Sequence, residues 1–141
     1  MNAAALDQVL NDHYMYEATD DVDGVASTVT ADVKHYITGS PLGELTGKEA
    51  ARSFYAELFK DFRGEGVQPV ARWHGDNFVV DEIIWTGQIE EARLFGLKGR
   101  AGHATFRLLH VLEFRDGKIS RENVWPDTAA IFAQTLEKAT V

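Results

Sequence analysis

Histidine, glutamate and tyrosine are the side chains of this sequence placed to move protons. His110 stands in Phe106-Arg107-Leu108-Leu109-His110-Val111-Leu112-Glu113-Phe114, where strand alternation puts Phe106, Leu108, His110, Leu112 and Phe114 on one face. An imidazole set into such an apolar wall suits general acid–base work, because burial and any nearby carboxylate both move its pKa. The turn that follows decides its partner. With a three-residue loop, Arg115-Asp116-Gly117, His110 lies directly opposite Glu122 and the two pair inside the wall. With a two-residue loop, Asp116-Gly117, His110 faces Asn123 and Glu122 turns outward, since a one-residue slip reverses every side chain. The first register is the favoured expectation. A core histidine satisfied by Glu122, Asn123 or solvent, with no chemistry, fits the same spacing.

Tyr14 shares a helical stripe with Leu6, Val9 and Leu10, so its phenol could hydrogen-bond a developing oxyanion while its ring fills a wall. Tyr16 on the same helix and Tyr36 on a short strand are further ligand-binding candidates. In Phe78–Ile89 both faces are apolar and each carries one acid, Asp81 or Glu82, so one of them points to the concave side; Asp81 is taken as a pocket carboxylate. Trp85 and Trp125 are large enough to line a pocket or fill an interface. His35, His74 and His103 fall near strand ends, where exposed histidines are common. Asp127 after Pro126 reads as a helix N-cap.

The elements that must hold these groups are legible from periodicity. Ala3 to about Thr19 is an amphipathic helix with Leu6, Val9, Leu10, His13 and Tyr14 at helical spacing. A short helix after Asp21 carries Val22, Val25 and Val29 inward, and a brief strand follows at about Val33–Thr38. Thr46 to Phe62 is a third helix, with Thr46 and Glu49 as a capping box and Ala50, Phe54, Leu58 and Phe62 as its inward stripe. Four strands follow, Val67–Trp73, Phe78–Ile89, His103–Phe114 and Lys118–Trp125, and a last helix spans Thr128 to Leu136. The glycine-rich connection Gly96–Gly102 reads as a mobile pocket rim. Helices followed by strands joined by short turns imply an antiparallel α+β domain.

Bulk composition narrows the function classes. At 141 residues, 45% hydrophobic and 26% charged, the chain fits a single globular domain over residues 1–141. Its 22 acidic and 14 basic residues give a net charge of −8, which repels a phosphate backbone, so nucleic acid is not an expected partner. No apolar run is long enough for a membrane span, and the start MNAAALDQVLNDHY lacks the order of a secretory signal, which points to a cytoplasmic protein. With no cysteine, thiolate catalysis and Cys-ligated zinc are excluded. The histidines show no i, i+4 or short H-x-H spacing with a carboxylate, so no metal site is expected; no dinucleotide or phosphate loop and no G-x-S-x-G elbow is present.

The strings HYMYEATDDVDGVASTVTADV, GKEAARSFYAELF, HVLEFRDGKISRENVW and PDTAAIF, in this order, resemble the SnoaL-like branch of the nuclear-transport-factor-two-like superfamily over nearly the whole chain. The resemblance implies a cone-shaped fold in which a curved antiparallel sheet wraps the N-terminal helices around an apolar pocket. It implies a small hydrophobic ligand, no cofactor or metal, and frequent homodimers through the outer sheet face. In the SnoaL cyclases a pocket histidine stands where His110 does, and the catalytic aspartate stands at Val124. That departure makes Glu122 the candidate to take over. Two functions follow as expectations. One is a cofactor-independent isomerase, cyclase or dehydratase of a small hydrophobic carbonyl compound, polyketide- or terpenoid-like, with His110, Glu122 and Tyr14 catalytic and Phe106, Leu108 and Val124 lining the ligand site. The other is a non-catalytic binding or dimerisation domain.

Overall fold

The computed structural model describes residues 1–139. Four helices, α1 (Ala3–Ala18), α2 (Val22–Ser27), α3 (Lys48–Asp61) and α4 (Thr128–Gln134), lie with seven strands: β1 (Val29–Ile37), β2 (Leu45–Thr46), β3 (Phe62–Gly75), β4 (Phe78–Ile89), β5 (Arg100–Arg115), β6 (Lys118–Pro126) and β7 (Leu136–Glu137). One curved, unclosed sheet runs in the order β2-β1-β6-β5-β4-β3, and β7 pairs with the start of β5.

All pairings are antiparallel except β1 with β6, which is parallel. The short-turn argument constrains only strands adjacent in sequence, and these two meet because the sheet folds back across the whole chain. Pro69 sits in β3, at the sheet's edge, where its missing N–H breaks no central ladder.

Side-chain caps fix the first two helices. Asn2 accepts the N–H of Ala5 and Asp21 that of Gly24. Gly24 must be glycine, since a Cβ there would stand 2.2 Å from the Tyr16 ring. The capping box expected for α3 does not form. The helix is preceded by Gly47 with no side-chain cap, and Thr46 belongs to β2, where its hydroxyl accepts from Lys34. The inward face of α3 is accordingly Ala51, Phe54 and Tyr55 rather than a stripe from Ala50.

The apolar interior has two parts. Leu6, Leu10, Val29, Val33, Ala51, Val79, Leu112, Phe114 and Ile119 close the narrow end of the cone. At roughly 1.5–3 kcal/mol for each large aliphatic side chain, this cluster is the main glue between α1 and the sheet. The second part, including Phe54, Tyr55, Phe62, Ile83, Phe95, Phe106, Leu108 and Val124, surrounds a cavity.

The β5–β6 hairpin corrects the expected register. Asp116 and Gly117 both have positive φ, 54° and 76°, the signature of a two-residue type I′ turn, and Arg115 pairs with Lys118. That turn alone would send Glu122 outward. A bulge intervenes, because Phe114 pairs with Ile119 but Glu113 with Arg121, leaving Ser120 unopposed. The extra residue reverses the alternation, so Glu122 points inward opposite Leu112, and His110 stands opposite Val124. His110 and Glu122 therefore share a face but are not directly paired.

Candidate active site

The cavity encloses about 550 Å³ and is lined by aromatic and aliphatic side chains from α1, α3, β1 and the concave sheet face. That volume suits a small organic molecule. His110, Trp85, Phe106, Leu108, Val124 and Tyr14 all lie on its wall. Asp81 and Glu122 point inward but are held behind the wall. Tyr16 packs over Gly24, and Tyr36 alternates with the inward His35 and Ile37, so neither lines the cavity. From the Gly96–Gly102 connection no residue lines it either; Phe95 just before does, and Glu91 ties the connection down by accepting the N–H of Gly99.

Asp81 is the acid of β4 that faces the concave side, and Glu82 faces out to Arg107. Both Asp81 oxygens are engaged: Tyr14 donates to Oδ2 at 2.9 Å, and Arg72 Nε donates to Oδ1 at 2.7 Å. Tyr14 thus spends its only proton on Asp81, and its phenol oxygen is left to accept. Burial and the neighbouring carboxylates push the Tyr14 pKa well up, which keeps it a neutral phenol.

A second polar group lies behind the wall and was only half legible in the sequence. Glu122, 2% exposed, accepts the Tyr55 hydroxyl at 2.5 Å; its Oε1 is 3.4 Å from His13 Nε2 and 3.5 Å from His35 Nε2. His13, fully buried, is 2.7 Å through Nδ1 from Thr28 Oγ1, 3.2 Å through Nε2 from the Tyr55 hydroxyl, and 3.6 Å from Glu17 Oε1. Proton accounting assigns its state. Thr28 donates its own proton to the Val25 carbonyl, and Tyr55 donates its proton to Glu122, so both hydroxyl oxygens accept from His13. His13 needs a proton on each nitrogen to meet both, and it is an imidazolium.

The electrostatics agree. Burial by itself would lower the His13 pKa, but the Glu122 and Glu17 carboxylates reverse this and hold it at about 9. Burial would raise Glu122, yet the His13 cation and the His35 ring drive it well below the usual carboxylate range. Burial next to Glu122 lifts Glu17 to about 7, with His13 opposing. His35 and His110 are both kept neutral by desolvation, His35 down to about 4. In His110, Nδ1 is buried with no hydrogen-bond partner, which leaves Nε2 as the nitrogen to meet a ligand.

Sequence reasoning missed His13, Glu17, His35 and Tyr55. The i, i+4 spacing of His13 and Glu17 on α1 was a readable signal of a shared face, whereas His35 passed for an exposed strand-end residue and is 3% exposed. Contrary to the expectation of no such spacing, His13 and Glu17 stand at i, i+4, and with Glu122 they bring three titratable atoms within 4.8 Å of one another; the doubly protonated His13 has no lone pair to offer a metal, and the trio is a proton-sharing cluster. His74 and His103 are surface histidines paired with Asp7 and Glu65. Asp127 caps α4 by accepting the N–H of Ala130.

Comparison with known proteins places this architecture. The chain superposes on a protein from Jannaschia sp. CCS1 assigned as a SnoaL-like polyketide cyclase (17% identity, TM-score 0.77, covering 93% of this chain and 91% of that one). It is similar to a protein from Bacillus subtilis assigned as an isomerase (18%, 0.77, 95% of each chain) and to an LEH-like epoxide hydrolase of M. tuberculosis (15%, 0.70, 89% and 85%). At these identities the likeness is one of fold, shared with ketosteroid isomerase-like proteins. No curated protein matches the sequence significantly. The sequence model of the SnoaL-like domain matches residues 4–122, and the chain belongs to that family.

Proposed function

We propose that the cavity takes a small, largely hydrophobic carbonyl compound, polyketide- or terpenoid-like, and isomerises, cyclises or dehydrates it by general acid–base catalysis without a cofactor. The observation that carries this is His110: a neutral imidazole on the wall of a ligand-sized apolar cavity, its Nδ1 without a partner and its pKa below that of a free histidine. A neutral, desolvated imidazole is a ready proton acceptor, and an apolar surround prolongs a charged intermediate only if a positioned group shares its charge. The names of the similar folds, polyketide cyclase and isomerase among them, support a reaction of this kind.

Two roles change with the geometry. Glu122 is not a base facing the ligand: it is ionised, hidden and committed to Tyr55 and His13, so it acts as the fixed charge that organises the polar group. Tyr14 contacts the ligand as wall and acceptor unless its bond to Asp81 is exchanged.

The test is solvent-deuterium incorporation into β,γ-unsaturated ketosteroids and aromatic polyketide esters, followed by NMR. His110→Ala is expected to lower turnover by about tenfold to a hundredfold with an unchanged circular dichroism spectrum. Equal turnover in the variant, or none in the wild type, would reject the reading. A non-catalytic binding domain is the second reading, favoured by the apolar Val124 in the cavity wall, at the position where the resemblance to the SnoaL cyclases implies an acid; it predicts binding that His110→Ala leaves without chemical consequence.

We also propose that the convex sheet face forms a homodimer. Trp73, Val80, Val111 and Asn123 stand in one cross-strand row and Leu109 and Trp125 in the next, all away from the cavity. Trp73 and Trp125 are exposed, and the Asn123 side-chain oxygen is buried with no partner.

A further inference from the structure

Three carboxylates line the cavity, Glu17, Asp20 and Glu65. Asp20 is exposed at the end of α1, and Glu65 is exposed on β3 and paired with His103. Glu17 differs from both. Its side chain is only a quarter exposed, and it stands 3.6 Å from His13, whose other ring nitrogen is anchored by Thr28.

Charge counting around Glu17 is unbalanced. From its own helix it meets His13 and from β6 it lies within 4.8 Å of Glu122, whose further neighbours, Tyr55 of α3 and His35 of β1, are neutral. One imidazolium therefore faces two carboxylates, and one negative charge is in surplus in a poorly solvated place. Glu122 holds its charge, because it takes the Tyr55 proton in a hydrogen bond and is the closer to His13. The surplus falls on Glu17, the member of the trio that reaches the cavity, and a proton is the smallest species that cancels it.

We propose that Glu17 is the second proton-transfer group of the cavity, handing its carboxyl proton to the ligand while His110 removes one, with His13 as its positioning residue. The proposal rests on the acid–base reading of the site. In an isomerisation, His110 Nε2 takes a proton from carbon and becomes an imidazolium. The electron pair moves through the conjugated system, and the Glu17 carboxyl protonates its far end and becomes a carboxylate. Passage of one proton from His110 to Glu17 through solvent at the cavity mouth restores both groups, so no net proton is gained or lost. The separated poise of the two groups, one neutral base and one protonated acid in the same pH range, is what such a cycle requires.

The test combines a measurement that needs no substrate with one that does. An infrared pH titration in heavy water, wild type against Glu17→Gln, is expected to show a protonated-carboxyl band that disappears with a midpoint near pH 7 and is missing from the variant. With the deuterium-exchange substrates, Glu17→Gln is expected to lose about tenfold to a hundredfold in turnover and Glu17→Asp to retain part of it. Replacing His13 by Gln should move the pH limb of the rate upward, because a carboxyl that loses its cation gives up its proton less readily. A Glu17 that is ionised throughout the neutral range, or full turnover in Glu17→Gln, overturns the proposal. A wild-type protein that shows the band yet turns over nothing overturns the acid–base reading beneath it.

Discussion

The His13 imidazolium couples the buried polar group to folding. Its folded pKa of about 9 lies above the unfolded value of about 6.5, so the stabilisation is complete below about pH 6.5 and is lost as pH rises through about 9. Between pH 7 and 9 these groups bind almost no protons in the unfolded chain, while the folded protein gives up that of His13 and the rest of that of Glu17, whose folded value of about 7 is also raised, so both act in the same direction. Urea unfolding is therefore expected to show a stability falling by roughly 2 kcal/mol over that interval, at up to about 1.4 kcal/mol per pH unit. Combining His13→Gln with Glu17→Gln, which removes the neighbouring raised carboxyl as well, should flatten the slope. A wild type equally stable at both pH values would show that His13 is neutral in the folded protein. On the acid side the signs differ, since depressed Glu122 costs stability as it is protonated and buried His35 resists the charge that an unfolded histidine accepts below about 6.5.

Arg72 sets the seating of α1 on the sheet. From β3 it donates to Asp81 of β4 and to Asp7 and Asn11 of α1, and Tyr14 of α1 closes the ring by donating to the same Asp81. Arg72→Met leaves a carboxylate that is 3% exposed with only a phenol beside it, and is expected to cost roughly 3 kcal/mol in chemical denaturation. Arg107→Met breaks the ion pair with Glu82 on the solvent face and should cost less than about 1 kcal/mol. Comparable losses in the two variants would mean that the Asp81 network adds nothing beyond a surface pair. The same logic gives the Ser120 bulge its weight: one unopposed residue in β6 decides whether Glu122 faces His13 or solvent.

On the scale of the whole molecule, the two faces of one sheet differ in what they carry. The concave face holds the cavity, and the convex face bears Trp73, Val80, Leu109, Val111 and Trp125. Among the described residues no helix is long and apolar enough to cross a membrane. If the convex face joins two copies, sedimentation equilibrium will give a dimer for the wild type, and Trp125→Glu will shift it to monomer while ligand binding on the opposite face persists. A monomeric wild type at micromolar concentration would exclude this interface.

Local signals carried much of this protein. The helical stripe of Leu6, Leu10 and Tyr14, the alternation through Phe106–Phe114 and the Asp116-Gly117 turn each report on a few neighbouring residues, so helix and strand positions and the inward aim of His110 were legible. The capping box at Thr46 misled because a tertiary pairing with β1 claimed that residue for a strand. What only tertiary structure decided are the encounters between distant segments. His13, His35, Tyr55 and Glu122 come from four elements, and no periodicity within any one of them announces the other three. Glu122 was expected to face inward through one register and does so through another, because a bulge adds a residue without leaving a mark in the hydrophobic pattern. The charge surplus at Glu17 is likewise a property of the assembled interior, where burial makes each uncompensated charge costly, and the linear chain in water carries no such demand.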